Sequence, residues 1–145
     1  MSKIEKPLPE ITVDKIPFWE AARKHELLLM KCVNCGQYRH PLYGGDSFMC
    51  PHCNTTRSPK WVKATGKGKV LTWTVIRKAF HPAFAEEVPY IVAIATLDEG
   101  IRMTANLRGV KPEDVKVDLE VEVFFEELTE DITLPQFRQI LVKKI

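Results

Sequence analysis

Hydrophobic and polar positions change their period along the chain, and each change marks a different kind of element. Between Asp14 and Glu26 the apolar side chains recur at helical spacing. Ile16, Trp19 and the alkyl stem of Arg23 share one face, with Phe18 and Ala22 beside them. Asp14 is placed to cap this helix, and Pro17 falls in its first turn, where a missing N–H is harmless. Upstream, Pro7 and Pro9 lie among charges and read as an extended lead. The face carrying Phe18 and Trp19 packs on its own protein or docks on a partner chain.

From Trp61 onward the pattern is that of strands. Lys69 to Lys78 is a β-branched and aromatic run. Pro89 introduces Tyr90 to Leu97, and Asp98-Glu99-Gly100 is a tight turn into Ile101 to Leu107. Leu119, Val121, Val123 and Phe125 alternate with Glu120, Glu122 and Glu126, a half-exposed strand interrupted only by Phe124. Phe137 to Lys144 makes a fifth strand, and Lys111 to Val115 one helical turn between the third and fourth. Five strands with a short helix after the third predict an OB-fold barrel, with Gly66 and Gly68 permitting its first strand to coil.

The intervening segment, Leu27 to Lys60, has neither period nor enough large apolar side chains for a core of its own. All four cysteines fall within it, as Cys32-Val33-Asn34-Cys35 and Cys50-Pro51-His52-Cys53, with fourteen residues between the pairs. Two Cys-x-x-Cys turns facing each other across a hairpin offer four sulfurs to one tetrahedral ion, the pattern of a structural zinc ribbon. Gly36 follows the first pair and Asn54 the second, both suited to positive φ, which turns backbone N–H groups towards sulfur. Disulfides do not suit a reducing cytosol, and a redox Cys-x-x-Cys comes singly at a helix start. Iron in a rubredoxin-like site is the alternative metal. His40 and His52 lie nearby as ordinary polar residues. A shell filled by cysteine leaves no open position for catalysis.

The expected fold is therefore mainly β: a lead and helix over residues 1–26, a rubredoxin-like zinc ribbon over 27–60, and an OB-fold over 61–145. The 45% hydrophobic and 28% charged content is that of a soluble globular protein. No apolar run approaches the roughly 18 residues that span a bilayer, and the N-terminus lacks a signal-peptide core, so a cytoplasmic location is expected. Formal net charge is +2, and four thiolates around a divalent ion bring it near zero. Residues 61–145 carry twelve Lys or Arg against thirteen Asp or Glu. Glu120, Glu122, Glu126, Glu127, Glu130 and Asp131 run without a basic residue among them. That is a poor footprint for nucleic acid, although Trp73 or Tyr90 in an OB-fold would suit stacked bases, so a single-stranded nucleic-acid binder is the alternative function.

No catalytic set stands out: there is no Gly-x-Ser-x-Gly elbow, no His-Glu-x-x-His and no phosphate-cradling Gly loop. OB-folds bind ligands between the loops joining strands one to two and four to five. Here these are Ala79 to Ala85, apolar and Pro-containing, and Leu128 to Leu134, apolar but acidic. Together they offer a hydrophobic mouth for an acyl-pantetheine arm or a protein surface. Arg77 and Lys78 at its base are placed to meet CoA phosphates, and Phe80, His81 and Phe84 form the partner-facing loop. The opposing reading has Phe80 and Phe84 plugging the barrel.

Phe18-Trp19, Lys31-Cys32-x-x-Cys35-Gly36, Cys50-Pro51-x-Cys53, Trp61 with Gly66-x-Gly68, Pro89-Tyr90, Leu97-Asp98-Glu99-Gly100 and Leu134-Pro135-x-Phe137-Arg138 follow one another in order. In this order the chain resembles a family of two-domain proteins, a rubredoxin-like zinc ribbon followed by an OB-fold. The family was catalogued as domain-of-unknown-function family thirty-five and is associated with acyl-CoA metabolism. Asp118 departs from the pattern, which usually has Gly before the fourth strand. The resemblance implies a non-catalytic accessory or scaffold protein, similar to the archaeal proteins that bridge thiolase and hydroxymethylglutaryl-CoA synthase. Its implied partners are thiolase-type enzymes, hydroxymethylglutaryl-CoA synthase or hydratases, with acyl-CoA as a ligand.

Overall fold

The computed structural model describes residues 5–42 and 49–141. Among these residues it is mainly β, with one α-helix, α1 (Ile16–Arg23), followed by β1 (Leu28–Lys31), β2 (Tyr38–Arg39) and β3 (Lys60–Lys63). The barrel strands are β4 (Lys67–Ile76), β5 (Tyr90–Leu97), β6 (Arg102–Arg108), β7 (Glu120–Glu127) and β8 (Thr133–Gln139). The first three form an antiparallel sheet in the order β2-β1-β3, and the other five close in the order β4-β5-β6-β8-β7. A 3-10 turn, Pro112–Asp114, lies between β6 and β7. This is the ribbon and OB-fold architecture expected from the sequence. Lys60–Lys63 belongs by its pairing to the ribbon, since Trp61 lies opposite Met30 on β1.

Strand alternation is clearest in β5, where Ile91, Ala93, Ala95 and Leu97 are buried and the residues between them are half-exposed. The first barrel strand bends because β4 carries a bulge between Val70 and Thr72. Gly68 allows the close approach of β5: a Cβ there would lie 2.5 Å from the Thr96 carbonyl oxygen. Asp118, where the family pattern has Gly, adopts φ 66° and donates its N–H to the Val70 carbonyl at 2.8 Å. The left-handed turn is kept, and Asp is among the residues that tolerate it.

Two strand limits differ from the sequence reading. The first barrel strand ends at Ile76, so Arg77 and Lys78 belong to the loop. The last starts at Thr133 rather than Phe137 and includes Pro135; Lys144, in the expected fifth strand, lies outside the described residues. Proline within a strand argues for an edge. Here β8 pairs with β7 at Pro135 but meets β6 only at Leu107↔Phe137 and Arg108↔Arg138, so one side of Pro135 is free of ladder bonds.

The helix also differs in detail. Asp14 is inside a 3-10 turn, Val13–Lys15, and does not cap α1, whose N-cap is Lys15. The buried face is Phe18, Trp19, Ala21 and Ala22, whereas Ile16 is 38% exposed and Arg23 is exposed. At the C-terminus His25 takes φ 61° and donates to the Ala22 carbonyl, while Glu26 donates to the Ala21 carbonyl, both at 2.9 Å. That pairing is a Schellman stop. It turns the chain straight into β1.

Phe18 and Trp19 are 1% and 3% exposed and join Leu27 and Leu29 of the ribbon and Phe137, Met103 and Ile91 of the barrel in one core. The helix is thus a core element, which excludes its aromatic pair as a docking face. It packs on β8, beside the opening where β6 and β8 part, which retains a cleft of about 340 Å³ lined by Trp19, His40, Met103, Leu134, Pro135 and Gln136. Removing a buried aromatic ring costs its transfer free energy plus the cavity left behind. Phe18→Ala is therefore expected to destabilise the protein by about 3–5 kcal/mol in urea unfolding. A loss below about 1 kcal/mol would mean the helix does not seal this core.

The cysteine cluster and the barrel mouth

The two Cys-x-x-Cys turns are built alike. Cys32 N–H donates to the Gln37 carbonyl and Cys50 N–H to the Thr55 carbonyl, each at 2.9 Å. Gly36 N–H returns to the Cys32 carbonyl at 3.0 Å and Asn54 N–H to the Cys50 carbonyl at 2.9 Å. Gly36 and Asn54 take φ 78° and 63°, the left-handed conformation their positions suggested. Both turns hang from short strands, the first between β1 and β2, the second ahead of β3.

All four sulfurs lie within 4.8 Å of one another, and none is in a disulfide. Cys32 Sγ is 3.7 Å from Cys53 Sγ, and Cys35 Sγ is 3.7 Å from Cys50 Sγ. A metal–sulfur distance of about 2.3 Å in a tetrahedron places the sulfurs about 3.8 Å apart, so the donor set fits such an ion. Backbone N–H groups of Asn34 and Cys35 reach Cys32 Sγ at 3.4 and 3.5 Å, and the Asn34 side-chain amide donates to Cys53 Sγ at 3.4 Å. The Cys35 N–H, then the Asn34 N–H, hold the Cys32 thiol down at about 6. At Cys35 the Gln37 N–H favours the thiolate, but burial and the three neighbouring sulfurs outweigh it and push the thiol up to about 12. Four crowded thiols cannot all ionise unaided; a central cation removes that conflict.

His40 is no part of this set. It is 5% exposed, its ring 5.4 Å from Phe18, and its Nδ1 accepts the Leu42 N–H at 3.2 Å. Burial, with a contribution from Lys15, pushes its pKa down to about 4 and keeps it neutral.

The loop between β4 and β5 includes a 3-10 turn, Pro82–Phe84. His81 caps it, Nδ1 accepting the Ala83 N–H at 3.1 Å, and its ring meets Phe84 edge-on at 5.9 Å. Phe84 is half-buried against Tyr90, 6.1 Å between ring centroids. Phe80 is 85% exposed, with Lys78 Nζ 6.0 Å above its ring, and Arg77 is exposed beside it. The two aromatic residues therefore divide the expected roles, Phe80 outward and Phe84 against the protein. In the loop between β7 and β8, Ile132 is buried and Leu128 packs on the core while Glu130 and Asp131 face outward. Ala83 and Leu128 line one cleft of about 660 Å³, whose third wall is the lead: Glu5, Lys6 and Leu8.

The ribbon region, residues 19–41, matches the family model described as the ChsH2 rubredoxin-like zinc ribbon domain. Residues 61–126 match the ChsH2 C-terminal OB-fold domain. A DUF35 domain-containing scaffold protein of Methanocaldococcus jannaschii is 34% identical over 114 residues, 78% of this chain and 77% of that protein. The chain belongs to the DUF35 family. A probable enoyl-CoA hydratase alpha subunit of Thermomonospora curvata is 36% identical over 138 residues, 94% of this chain. The chain spans 40% of that relative's length. Among solved structures, the Ltp2-ChsH2(DUF35) aldolase contains a chain 35% identical, with a TM-score of 0.77 over 91% of this chain and 98% of that one.

Sequence reasoning missed the ion-pair chain that frames this DUF35 protein's mouth. Lys6 Nζ is 2.7 Å from Glu87 Oε2, Glu87 Oε1 is 3.5 Å from Arg108 Nη2, and Arg108 Nε donates to Glu126 Oε1 at 2.8 Å. These residues come from the lead, a loop and two strands, so no local pattern relates them. They also temper the acidic run, since Glu126 meets Arg108 and Glu122 meets Arg138 at 3.0 Å.

Metal binding provides much of a ribbon's folding free energy because the ligands converge only when it is folded. Cys32→Ser is expected to lose the roughly one bound metal ion per chain and to unfold the ribbon while the barrel's β signal survives in circular dichroism. Full metal content with unchanged melting would refute the assignment.

Proposed function

We propose that this chain is a non-catalytic accessory subunit of an enzyme that makes, breaks or hydrates acyl-CoA substrates. The partner class is a thiolase-type enzyme, hydroxymethylglutaryl-CoA synthase or a hydratase. The observation that carries this reading is the likeness of nearly the whole chain to one chain of the Ltp2-ChsH2(DUF35) aldolase. The relatives named as scaffold proteins and as a hydratase alpha subunit support it.

The chemistry of the sites agrees. Four sulfurs around one ion suit zinc and leave no vacant coordination position for a substrate. Zinc, when bound, supplies folding free energy to the ribbon; Cys32, Cys35, Cys50 and Cys53 would hold it. At the mouth, Leu128 and Ala83 offer apolar walls for an acyl-pantetheine arm, and Arg77 and Lys78 offer cations to CoA phosphates. His81 holds the loop in shape. Phe80 is the anchor for the partner, because a large exposed aromatic on a capped, rigid loop loses little entropy on burial. Among the described residues no helix is long and apolar enough to cross a membrane, and four thiols held free for metal suit the cytoplasm.

Phe80→Ala is expected to weaken binding to the partner enzyme that co-purifies with the native protein by at least about tenfold, read by calorimetry, with melting unchanged. A drop in melting with intact binding would return Phe80 to a structural role.

The nucleic-acid alternative finds little support, because Glu120 and Glu127 of β7 are exposed and Trp73 is half-buried against the core. Titration with single-stranded DNA at physiological salt is expected to give no complex tighter than about 10 μM. Submicromolar affinity with steep salt dependence would reverse the choice.

A further inference from the structure

The lead does not pass the barrel mouth at a distance. Lys6 reaches across to Glu87 and places Nζ 5.6 Å from the centre of the Phe84 ring, while Glu5 and Leu8 line the cleft that holds Ala83, Leu128 and Thr129. One cation thus touches both the carboxylate and the aromatic residue at the site's edge. We propose that residues 5–8 are a displaceable strap over the mouth, pinned by Lys6, that competes with apolar ligands for the Ala83–Leu128 cleft. The inference rests on the mouth being the accessory site and names its regulation.

Three features make the strap reversible rather than part of the core. Leu8 remains 50% exposed, so little apolar burial holds it. Lys6 and Glu87 are 35% and 25% exposed, and a solvated ion pair or cation–π contact each favours the closed state by no more than about a factor of five. Glu87 has a second cation, Arg108, itself held by Glu126. Releasing Lys6 therefore leaves the Glu87 carboxylate still paired with Arg108 through Oε1. Pro7 and Pro9 stiffen the segment and limit the states it gains on leaving.

The test uses the full, metal-loaded chain. In the wild type, proton NMR is expected to show the Lys6 side-chain methylenes shifted upfield by the Phe84 ring, with cross-relaxation between them. Lys6→Glu places a carboxylate against Glu87, and is expected to move the Leu8 methyl shifts to free-peptide values. It should also raise binding of the neutral apolar dye Nile red at least about fivefold, with unchanged melting. Lys6→Arg keeps the charge and should behave as the wild type. Free-peptide shifts for Lys6 in the wild type, or equal Nile red binding in wild type and Lys6→Glu, would overturn the strap. A parallel titration with butyryl-CoA separates the two readings. Nile red binding that rises while butyryl-CoA binds neither protein supports the strap and removes CoA from the mouth. Butyryl-CoA binding equally to both proteins overturns the strap and leaves the mouth's role standing.

Discussion

The structure depends on the wedging of Phe18 and Trp19 beside a barrel whose strands β6 and β8 barely meet. Those strands pair at only two positions, Leu107↔Phe137 and Arg108↔Arg138, and then diverge. An open seam in a small barrel exposes core and unpaired backbone alike. The helix covers it with two aromatic rings in edge-to-face contact at 5.1 Å. Leu27 and Leu29 follow directly on the Schellman turn, so the residues that cover the seam also carry the ribbon into the same core. Ribbon and barrel share one hydrophobic interior, to which the barrel contributes most of the large side chains.

The cysteine cluster solves a different problem at the far end of the ribbon. Two strands of four residues and one of two cannot hold a sheet by burial alone. The paired turns bring four sulfurs to tetrahedral spacing, and backbone N–H groups aimed at Cys32 stabilise its charge. A metal here fixes shape. With every ligand position filled by cysteine, an ion held here would have no open position for substrate.

Among the described residues, the exposed aromatic side chain of Phe80 stands on a loop that contains a capped 3-10 turn. His81 locks the turn after Phe80 through one hydrogen bond, and Phe84 ties that turn to β5. The loop is thereby rigid where it meets the barrel and bare where it meets solvent. The ion-pair chain from Lys6 to Glu126 joins this loop to the lead and to β6 and β7. The His25 ring, stacked on Phe125 at 5.4 Å, adds a contact from the helix end to the same strand.

How much of this the sequence determined follows from the range of the interactions. The cysteine turns were legible because their geometry is local: two residues between ligands, then a residue able to take positive φ. The strand Tyr90–Leu97 was legible to the residue because its alternation is unbroken and its ends are a proline and a tight turn. The acyl-CoA association came from the ordered motifs, not from periodicity. What the sequence left open depended on residues far apart in the chain. Whether Phe18 and Trp19 face inward was decided by the gap between β6 and β8, which no pattern near residue 18 records. The start of the last strand was hidden by Pro135, tolerated only because one neighbour is missing there. Phe80 and Phe84 sit four residues apart in one apolar loop, and only the position of Tyr90 and the barrel rim sends one ring outward and the other in. Lys6, in a proline-containing lead, acquires its role from Glu87 and Phe84 about eighty residues on. Periodicity reports which face of an element is apolar; which surface that face meets is set by the packing of the whole chain.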